Sequence, residues 1–243
     1  MPYYNRRSKL MNVLRSIDFS FPIEIVLVDD GSDKENEVYD LPGIYPAIKL
    51  IRLERQGWSG TAIPLNTGFR YTSGNMIMLN SSECMHIGNV VEYVFRNFKS
   101  NYYMAFSALM GAKDMNIDEL SWDKPKKFMK QVAKFNSKYE LPSQRTWWGV
   151  HSTVGNYIAY CSVISKKNLD ILGGYDERFV SGVGYDDYDF THRVKNLGLN
   201  MVCVDKPFVF HQWHKPTDYP NTKNLELLKM LNEKFPKRIK ANG

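Results

Sequence analysis

The chain has 243 residues, of which 43% are hydrophobic and 14% aromatic, and this composition excludes a disordered protein. Its length suits one α/β domain or two small ones. No apolar run approaches the roughly 20 residues of a membrane-spanning helix and no signal peptide opens the chain, so we expect a cytoplasmic protein without a transmembrane segment.

The net charge and the cysteines narrow the partners and the compartment. The formal charge of +6 favours an anionic partner, but no nucleic-acid-binding motif accompanies it, and we expect no nucleic acid partner. Six lysines between residues 123 and 138 fit a solvated helix face, while attraction to a phosphate-bearing substrate or peripheral contact with a membrane stays open. Cys84, Cys161 and Cys203 lie far apart in or beside apolar stretches, which predicts free thiols in a reducing compartment.

The first half alternates between helical and extended patterns. Apolar residues recur at helical spacing from Leu10 to Ile17, and a near-continuous apolar run follows at 23–30, as in a buried parallel strand. Later segments continue this alternation with a strand at 47–53, a helix at 62–74, a strand at 75–79 and a helix at 90–98. Such alternation predicts an α/β fold with a doubly wound, mostly parallel sheet.

The second half is more mixed. It has predicted strands at 102–109, 157–164, 201–204 and 208–210, and predicted helices at 165–174, 187–197 and 222–234. Glycines at positions 173, 174 and 198 stop the first two of these helices. We therefore expect an irregular portion added to the α/β sheet.

Two acidic residues end the first long strand. Asp29 and Asp30 close "VLVDD" and precede Gly31, at the end of a strand where ligands of open α/β sheets bind. An aspartate there accepts a hydrogen bond from the imide N–H of a uracil or from a ribose hydroxyl. The alternative is that both residues only begin a turn.

Three aspartates crowd the start of a predicted helix. Asp186, Asp187 and Asp189 follow the glycines at 182 and 184. Carboxylates favour the positive end of a helix, but one suffices for a cap, so the crowding indicates a loop turned towards a substrate. We expect Asp189 to cap the helix or to pair with Arg193, four residues on.

Several segments resemble one known family. "PYYNRRSKLMNVLRSI" followed by "EIVLVDDGSD" resembles the opening of a family-2-type glycosyltransferase of the GT-A fold. "GGYDERFVSGVGYDDYDFTHRV" is similar to the acceptor-side segment of that group, especially the galactosyltransferase-type C-terminal region. With "FVFHQWH", the resemblance covers nearly the whole chain. It implies a single GT-A domain, in which residues 1–100 form the nucleotide-binding half and 101–243 the acceptor-binding half.

The resemblance implies a nucleotide-sugar donor, UDP-linked, and a glycan, lipid-linked or protein acceptor. Asp30 matches the position that contacts the base, with Pro2 nearby, and Asn66 lies in the N-x-G element assigned to the nucleotide side. The family's first strand is mostly missing, because Met1 falls at its carboxyl end. Either the sequence is trimmed there, or the protein lacks or replaces that strand.

The resemblance also implies a divalent cation. The family places Asp-x-Asp after the 75–79 strand, where this chain has Ser81-Ser82-Glu83. Glu83 matches the last acid and keeps a hard oxygen ligand. His211 matches a metal-binding histidine, with His214 as a second candidate. His86 lies close enough to be a substitute ligand, but it is more typical of a surface position at a helix start. A mixed imidazole and oxygen set favours Mn²⁺ over Mg²⁺.

The aspartate pair takes its role from the same resemblance. Asp187 matches the general base of inverting transfer, and Asp186 matches the residue that holds acceptor hydroxyls. Neighbouring charge and desolvation raise the pKa of a carboxylate to a range useful for this task. Trp147 and Trp148 lie in a glycine-flanked stretch where indole faces stack on sugar rings, although buried packing is the usual place for tryptophan.

Two other functions stay in view. The serines at 81–82 and the short first strand favour a non-catalytic nucleotide-sugar or glycan-binding module on the same fold. A nucleotidyltransferase needs a glycine-rich phosphate-binding loop near the start, and "MPYYNRR" has none.

Overall fold

A computed structural model describes residues 1–137, 152, 157, 160–215 and 222–241. Trp147 and Trp148 lie outside the described residues, so their predicted stacking on sugar rings stays a prediction. Within the described part, no helix is long and apolar enough to cross a membrane. The three cysteines are free, as predicted.

The described elements are β1 Pro2–Tyr3, α1 Arg7–Ser16, β2 Ile25–Asp29, α2 Leu41–Ile44, β3 Ile48–Arg52, α3 Ala62–Tyr71, β4 Met76–Asn80, β5 Cys84–Ile87, α4 Val90–Asn97, β6 Tyr102–Met110, α5 Pro125–Asn136, β7 Cys161–Ser165, α6 Lys166–Leu172, α7 Asp186–Asn196, β8 Asn200–His211 and α8 Thr222–Lys234. Most follow the sequence pattern closely. All five residues of β2 are buried, and α1 buries Leu10, Val13 and Leu14 at the predicted spacing.

The strands form two sheets. The first is parallel, in the order β1-β2-β3, and the second has the order β4-β7-β6-β8-β5. In the second sheet, β6 and β8 are parallel, whereas β4–β7, β6–β7 and β5–β8 are antiparallel. The predicted α/β fold is confirmed, with only parallel pairing in the first sheet and mixed pairing in the second. The short apolar runs of the second half do not predict whether their strands pair in parallel or antiparallel, because hydrophobic periodicity carries no information on pairing partners.

Strands β8 and β5 differ from the sequence-based prediction. Residues 201–204 and 208–210 belong to one strand, β8, whose register against β6 shifts between Phe106 and Ala108. Pro207 has no N–H for a ladder, yet the strand passes through it at this irregularity. Strand β5 was not predicted. Its four residues are all buried and pair with β8, in a stretch interpreted from its metal motif rather than its hydrophobicity.

The lysine-rich segment forms helix α5, which buries Phe128, Val132 and Asn136. The lysines of this segment at 124, 126, 127, 130 and 134 are exposed. This is the solvated helix face that the sequence predicted.

Candidate active site

Asp29 is the last residue of β2 and Asp30 follows it, and the two carboxylates have different surroundings. The carboxylate of Asp29 accepts hydrogen bonds from the Ser32 N–H at 2.9 Å and from Arg52 at 2.7 Å, so it organises the turn. The Oδ1 of Asp30 accepts a hydrogen bond of 2.7 Å from the indole N–H of Trp58. Asp29 therefore has the turn-forming role of the alternative interpretation, whereas the contact of Asp30 with a nucleotide stays a prediction.

The Asp30 carboxylate is buried, and burial is the main cause of its raised pKa. The hydrogen bond from Trp58 and the positive charge of Arg55, 3.9 Å from Oδ2, act in the opposite direction. This carboxylate is suited to bind another N–H donor. No local pattern in the sequence marked Trp58 as a partner of Asp30.

Pro2 lies next to this acidic end. Pro2 pairs with Val28 and Tyr3 with Asp29, and the Tyr3 carbonyl accepts a hydrogen bond of 2.8 Å from the Asp30 N–H. The short strand β1 thus fixes the backbone that carries Asp30. This places Pro2 close to the predicted nucleotide side, while its contact with a nucleotide stays a prediction.

Asn66 on α3 has its side chain engaged inside the protein. Its amide group donates to the Tyr175 carbonyl and to Glu177, both at 2.9 Å, and its oxygen accepts from the Tyr175 N–H at 2.8 Å. A Cβ added at Gly174 would lie 2.3 Å from that oxygen. Asn66 therefore positions the segment before Asp186, and its predicted nucleotide contact stays untested.

A second cluster lies where β5 begins and β8 ends. The backbone N–H of Gln212 donates to the Glu83 carbonyl at 3.0 Å, which brings the end of β8 against Glu83. The Oε1 of Glu83 accepts from the Arg6 guanidinium at 2.5 Å. The rings of His211 and His214 have centroids 5.2 Å apart. The structure thus brings together the three side chains that sequence analysis assigned to a cation, and adds Arg6.

Burial lowers the pKa of His211 to about 4, with the Glu83 carboxylate acting in the opposite direction. Burial likewise lowers the pKa of His214. Both imidazoles are therefore neutral at pH 7, which is the form that binds a metal. The Nδ1 of His211 is buried and has no hydrogen-bond partner among the described residues.

These groups fit a divalent cation held partly by its substrate. No group of three or more His, Cys, Asp and Glu side chains within the described residues is arranged to hold an ion by itself. Glu83 and the unpartnered nitrogen of His211 supply two donors. Hard cations at phosphate sites commonly take one or two protein ligands and complete their shell with phosphate oxygens and water. In this structure the Arg6 guanidinium lies against the Glu83 carboxylate.

His86 lies elsewhere than expected. It is buried within β5, where its Nε2 is 3.3 Å from the Asn80 side-chain oxygen. Burial lowers its pKa to about 4. The expectation of a surface histidine at a helix start was wrong, because residues 84–87 form a strand.

Asp187 lies in the first turn of α7 and is partly exposed. Its Oδ1 accepts a hydrogen bond of 3.0 Å from the phenol of Tyr175. The Tyr175 ring is fully buried and stacks on Phe190, with centroids 4.5 Å apart and planes 4° apart. The phenol is therefore held firmly against the carboxylate. Sequence analysis did not identify Tyr175.

The two leading aspartates perturb each other. Desolvation, followed by the charge of Asp186, raises the pKa of Asp187 to about 7, while the Tyr175 hydrogen bond opposes this rise. Asp186 is buried, desolvation raises its pKa, and its Oδ2 accepts from the Thr61 hydroxyl at 3.2 Å. An aspartate of pKa near 7 is able to accept a proton at neutral pH.

The loop before α7 needs an unusual backbone. Gly184 has φ 86° and Tyr185 has φ 67°, so the chain enters the helix through two left-handed residues. Asn224 of α8 donates to the Gly184 carbonyl at 2.9 Å and to the Phe179 carbonyl at 3.0 Å. Asn224 is fully buried and fixes both ends of this loop. No local pattern in the sequence marked it.

Asp189 has a structural role, as predicted. Its Oδ2 accepts a hydrogen bond of 2.8 Å from buried Arg193, and its Oδ1 accepts one from Arg238. Arg238 also reaches Asp176 at 2.7 Å. This buried network ties α7 to the segment after α8.

The two halves of the site touch through one loop. The Ser59 N–H donates to the Val180 carbonyl at 2.9 Å, one residue after Trp58. A Cβ added at Gly60 would lie 3.0 Å from the Gly182 carbonyl oxygen. The loop that covers Asp30 therefore packs closely against the loop that presents Asp186 and Asp187.

Comparison with known proteins agrees with this architecture. The family model of glycosyl transferase family 2 matches residues 1–169, more than half of the chain. The protein therefore belongs to glycosyl transferase family 2, and the GT-A fold implied by the sequence resemblance is confirmed. The match ends before Asp186 and Asp187. No curated protein sequence matched the chain.

Solved structures are similar in fold at low sequence identity. One is "Mannosyltransferase PcManGT from Pyrobaculum calidifontis in complex with GDP-Man and Mn2+", with TM-score 0.54, 17% identity, and coverage of 86% of this chain and 54% of that one. Another is S. aureus TarS, with TM-score 0.59, 15% identity, and coverage of 95% and 38%. A structure of TarS residues 1–349 has a TM-score of 0.59 and 14% identity, and the match covers 95% of this chain and 62% of that one. The chain thus spans about half the length of these proteins.

Proposed function

We propose that the protein is a glycosyltransferase that moves a sugar from a nucleotide-sugar donor to an acceptor hydroxyl with inversion. The observation that carries the proposal is the Asp187 carboxylate, which lies at a helix start beside Asp186 and Tyr175 with its pKa raised to about 7. Membership of glycosyl transferase family 2 supports the same activity.

Asp30 binds the base in this proposal. Its buried carboxylate accepts an N–H hydrogen bond, and at present Trp58 supplies one at 2.7 Å. The imide N–H of uracil can donate a hydrogen bond to this carboxylate, and we therefore infer that the sugar donor is UDP-linked. Guanine also offers N–H donors, and the mannosyltransferase neighbour was solved with GDP-Man. A GDP-linked donor is therefore the competing outcome of the test.

Glu83 and His211, with His214 beside them, would hold the divalent cation, for which we favour Mn²⁺ because of the imidazole ligands. A bound cation supplies Lewis-acid stabilisation of the charge that develops on the departing diphosphate. The chain adds positive charge of its own at this place. Arg6 contacts Glu83 at 2.5 Å, and burial, followed by the positive charge of Arg6, lowers the pKa of nearby Lys9.

Asp187 acts as the general base. It takes the proton of the acceptor hydroxyl as that oxygen bonds to the anomeric carbon and the bond to the nucleoside diphosphate breaks. A single displacement of this kind inverts the anomeric configuration. Asp186 holds the acceptor hydroxyls, with its own orientation fixed by Thr61. Tyr175 keeps Asp187 in place and does not touch the substrate.

We infer that residues 1–100 form the nucleotide-binding half and residues 101–243 the acceptor-binding half of one domain. The positions of Asp30 and Asp187 in the chain support this division. The acceptor is a glycan, a lipid-linked sugar or a protein.

A second candidate is a non-catalytic module that binds a nucleotide-sugar or glycan. The ion pair between Arg6 and Glu83 favours it, because an arginine already neutralises the carboxylate where a cation is expected. Such a module would bind its donor without turnover, and replacement of Asp187 would change nothing.

The experiment is a panel of UDP- and GDP-sugars, with Mn²⁺, Mg²⁺ or chelator, in which release of nucleoside diphosphate is measured with candidate acceptors. Asp187→Asn is compared with Asp170→Asn, an exposed carboxylate on α6. A general base contributes about 10²–10⁴-fold, so turnover should fall by at least about 10²-fold in the first variant only.

Calorimetry on the same panel separates the candidates. Donor binding without release, unchanged by Asp187→Asn, would establish the non-catalytic module. Transfer with retention of configuration, seen by proton NMR of the product, would contradict the single displacement.

A further inference from the structure

The two oxygens of the Asp30 carboxylate have different surroundings. Oδ1 accepts the hydrogen bond of 2.7 Å from the indole N–H of Trp58. Oδ2 lies 3.9 Å from the Nε of Arg55 and accepts no hydrogen bond from the described residues. One oxygen of the pair is therefore already occupied by a donor of the chain, and the other can accept an N–H from a ligand.

Packing holds Arg55 and Trp58 around this carboxylate. The Arg55 Nε donates to the Trp58 carbonyl at 3.1 Å, and the central carbon of its guanidinium lies 4.0 Å from the centroid of the Tyr4 ring. Gly31 allows this close approach, since a Cβ added there would lie 3.1 Å from the Cβ of Arg55. The position of the carboxylate between an indole N–H and a guanidinium is therefore supported by the whole loop.

Uracil and guanine present different edges to such a group. Each base has a ring N–H beside a carbonyl, which suits Oδ2 of Asp30 as the acceptor and the Arg55 guanidinium as the donor. On the other side of the ring N–H, uracil has a second carbonyl, whereas guanine has an amino group. The indole of Trp58 only donates, so it can share its hydrogen with a carbonyl but meets an amino group donor to donor.

Guanine therefore lacks an acceptor for its amino group. The oxygen that this group needs is Oδ1 of Asp30, which is bonded to Trp58. Because Asp30 is buried, water has little access to make up for the missing acceptor. An amino group that leaves water without gaining an acceptor weakens binding by about tenfold or more.

We propose that Trp58 selects the base of the nucleotide donor, admitting uracil and disfavouring guanine, because its indole occupies the carboxylate oxygen that a guanine amino group needs. The inference rests on the proposed function, in which Asp30 binds the base. Trp58 acts mainly through Asp30 and is a specificity-determining residue, while Arg55 donates to the carbonyl beside the ring N–H.

The test compares GDP with inosine diphosphate, which lacks only the amino group of guanine. Calorimetry with UDP, GDP and inosine diphosphate, each with Mn²⁺, gives the dissociation constants. In the unaltered chain, we expect GDP to bind more weakly than UDP, and at least about tenfold more weakly than inosine diphosphate. This comparison needs no variant, so it decides the matter even where a variant does not fold.

Trp58→Phe keeps an aromatic ring but removes the N–H, which leaves Oδ1 of Asp30 free for the amino group. We expect the dissociation constant of GDP, divided by that of inosine diphosphate, to fall by at least about tenfold. Trp122→Phe is the matched control, because Trp122 is exposed and belongs to neither cluster of the candidate active site, and it should keep the ratio of the unaltered chain. A merely structural role of Trp58 would weaken both purine nucleotides equally.

The outcomes separate this inference from the proposed function. Equal binding of GDP and inosine diphosphate by the unaltered chain, GDP binding tighter than UDP, or a ratio unmoved by Trp58→Phe would overturn the inference alone. Nucleotide binding and sugar transfer would then stand. Absence of binding of all three nucleotides to the unaltered chain would overturn both the inference and the proposed role of Asp30.

Discussion

The phenol of Tyr175 donates a hydrogen bond of 3.0 Å to the Asp187 carboxylate from a fully buried, stacked ring. The pKa of Asp187 is raised to about 7, chiefly by burial, and two neighbouring side chains act on it in opposite directions. The Tyr175 hydrogen bond lowers it, and the Asp186 charge raises it. Tyr103 and Tyr160 also feel the Asp187 charge, but each has a pKa raised far above neutrality and stays protonated.

Tyr175→Phe should move the rising limb of kcat/KM to higher pH. Asp187 is active as a carboxylate, so activity rises with pH through its pKa of about 7. Loss of the hydrogen bond destabilises the carboxylate and raises that pKa further. The measurement is kcat/KM from pH 5 to pH 9, and a limb that stays in place would show that Tyr175 has only a packing role.

Asp186→Asn should move the same limb to lower pH. The substitution removes the like charge that raises the pKa of Asp187 and keeps a side chain of similar shape. KM for the acceptor should rise as well, because Asp186 is the proposed acceptor contact. If both variants shift the limb in the same direction, Asp187 is not the titrating base.

Asp30→Asn should weaken binding of the nucleoside diphosphate by about 10–100-fold, the usual worth of a hydrogen bond to a charged group. Calorimetry with UDP and GDP measures the effect and identifies the preferred base. Asp33→Asn serves as the control, since Asp33 is exposed and its carboxylate accepts a hydrogen bond of 3.1 Å from the Asn5 side chain. Equal losses in both variants would exclude a specific contact with Asp30.

Glu83→Gln and Arg6→Ala should change Mn²⁺ affinity in opposite directions. Glutamine removes the charged oxygen ligand, whereas loss of Arg6 removes a cation that lies 2.5 Å from the same carboxylate. Electron paramagnetic resonance of free Mn²⁺, with nucleoside diphosphate present, reports the affinity without any turnover. Tighter binding in Glu83→Gln would contradict the assignment of that residue.

Asn224→Ala should destabilise the fold and slow transfer together. The substitution leaves the carbonyls of Phe179 and Gly184 without their donor, which costs about 1–3 kcal/mol of unfolding free energy. Urea unfolding measures this loss. Glu226→Ala, at an exposed position on the same helix, should stay within about 0.5 kcal/mol of the parent protein. A large fall in kcat without loss of stability would place Asn224 closer to the chemistry than we propose.

The local features of the site were predictable from the sequence. An apolar run ending in acids predicts a strand with Asp30 at its tip, and three aspartates after two glycines predict the start of α7. Both follow from chain geometry over about ten residues, where hydrophobic period and helix capping act.

The contacts that tune these residues were not predictable. Trp58 reaches Asp30 across 28 positions, Arg6 reaches Glu83 across 77, and Asn224 reaches Gly184 across 40. Such pairs form because packed strands and helices bring distant segments together, and no local pattern records which segments meet. The sequence pattern likewise could not set the strand directions in the second sheet.

The loop from Arg55 to Gly60 has an energetic consequence. Trp58 is bonded to Asp30, and the next residue is bonded to Val180. A nucleotide that takes the Asp30 carboxylate from the indole must therefore work against, or together with, the backbone that leads to Asp186. If one arrangement of that backbone favours both ligands, the bound nucleotide strengthens acceptor binding by the same free energy by which the bound acceptor strengthens nucleotide binding. The six residues from Arg55 to Gly60 would thus couple the two proposed substrate sites, by the same free energy whichever substrate binds first.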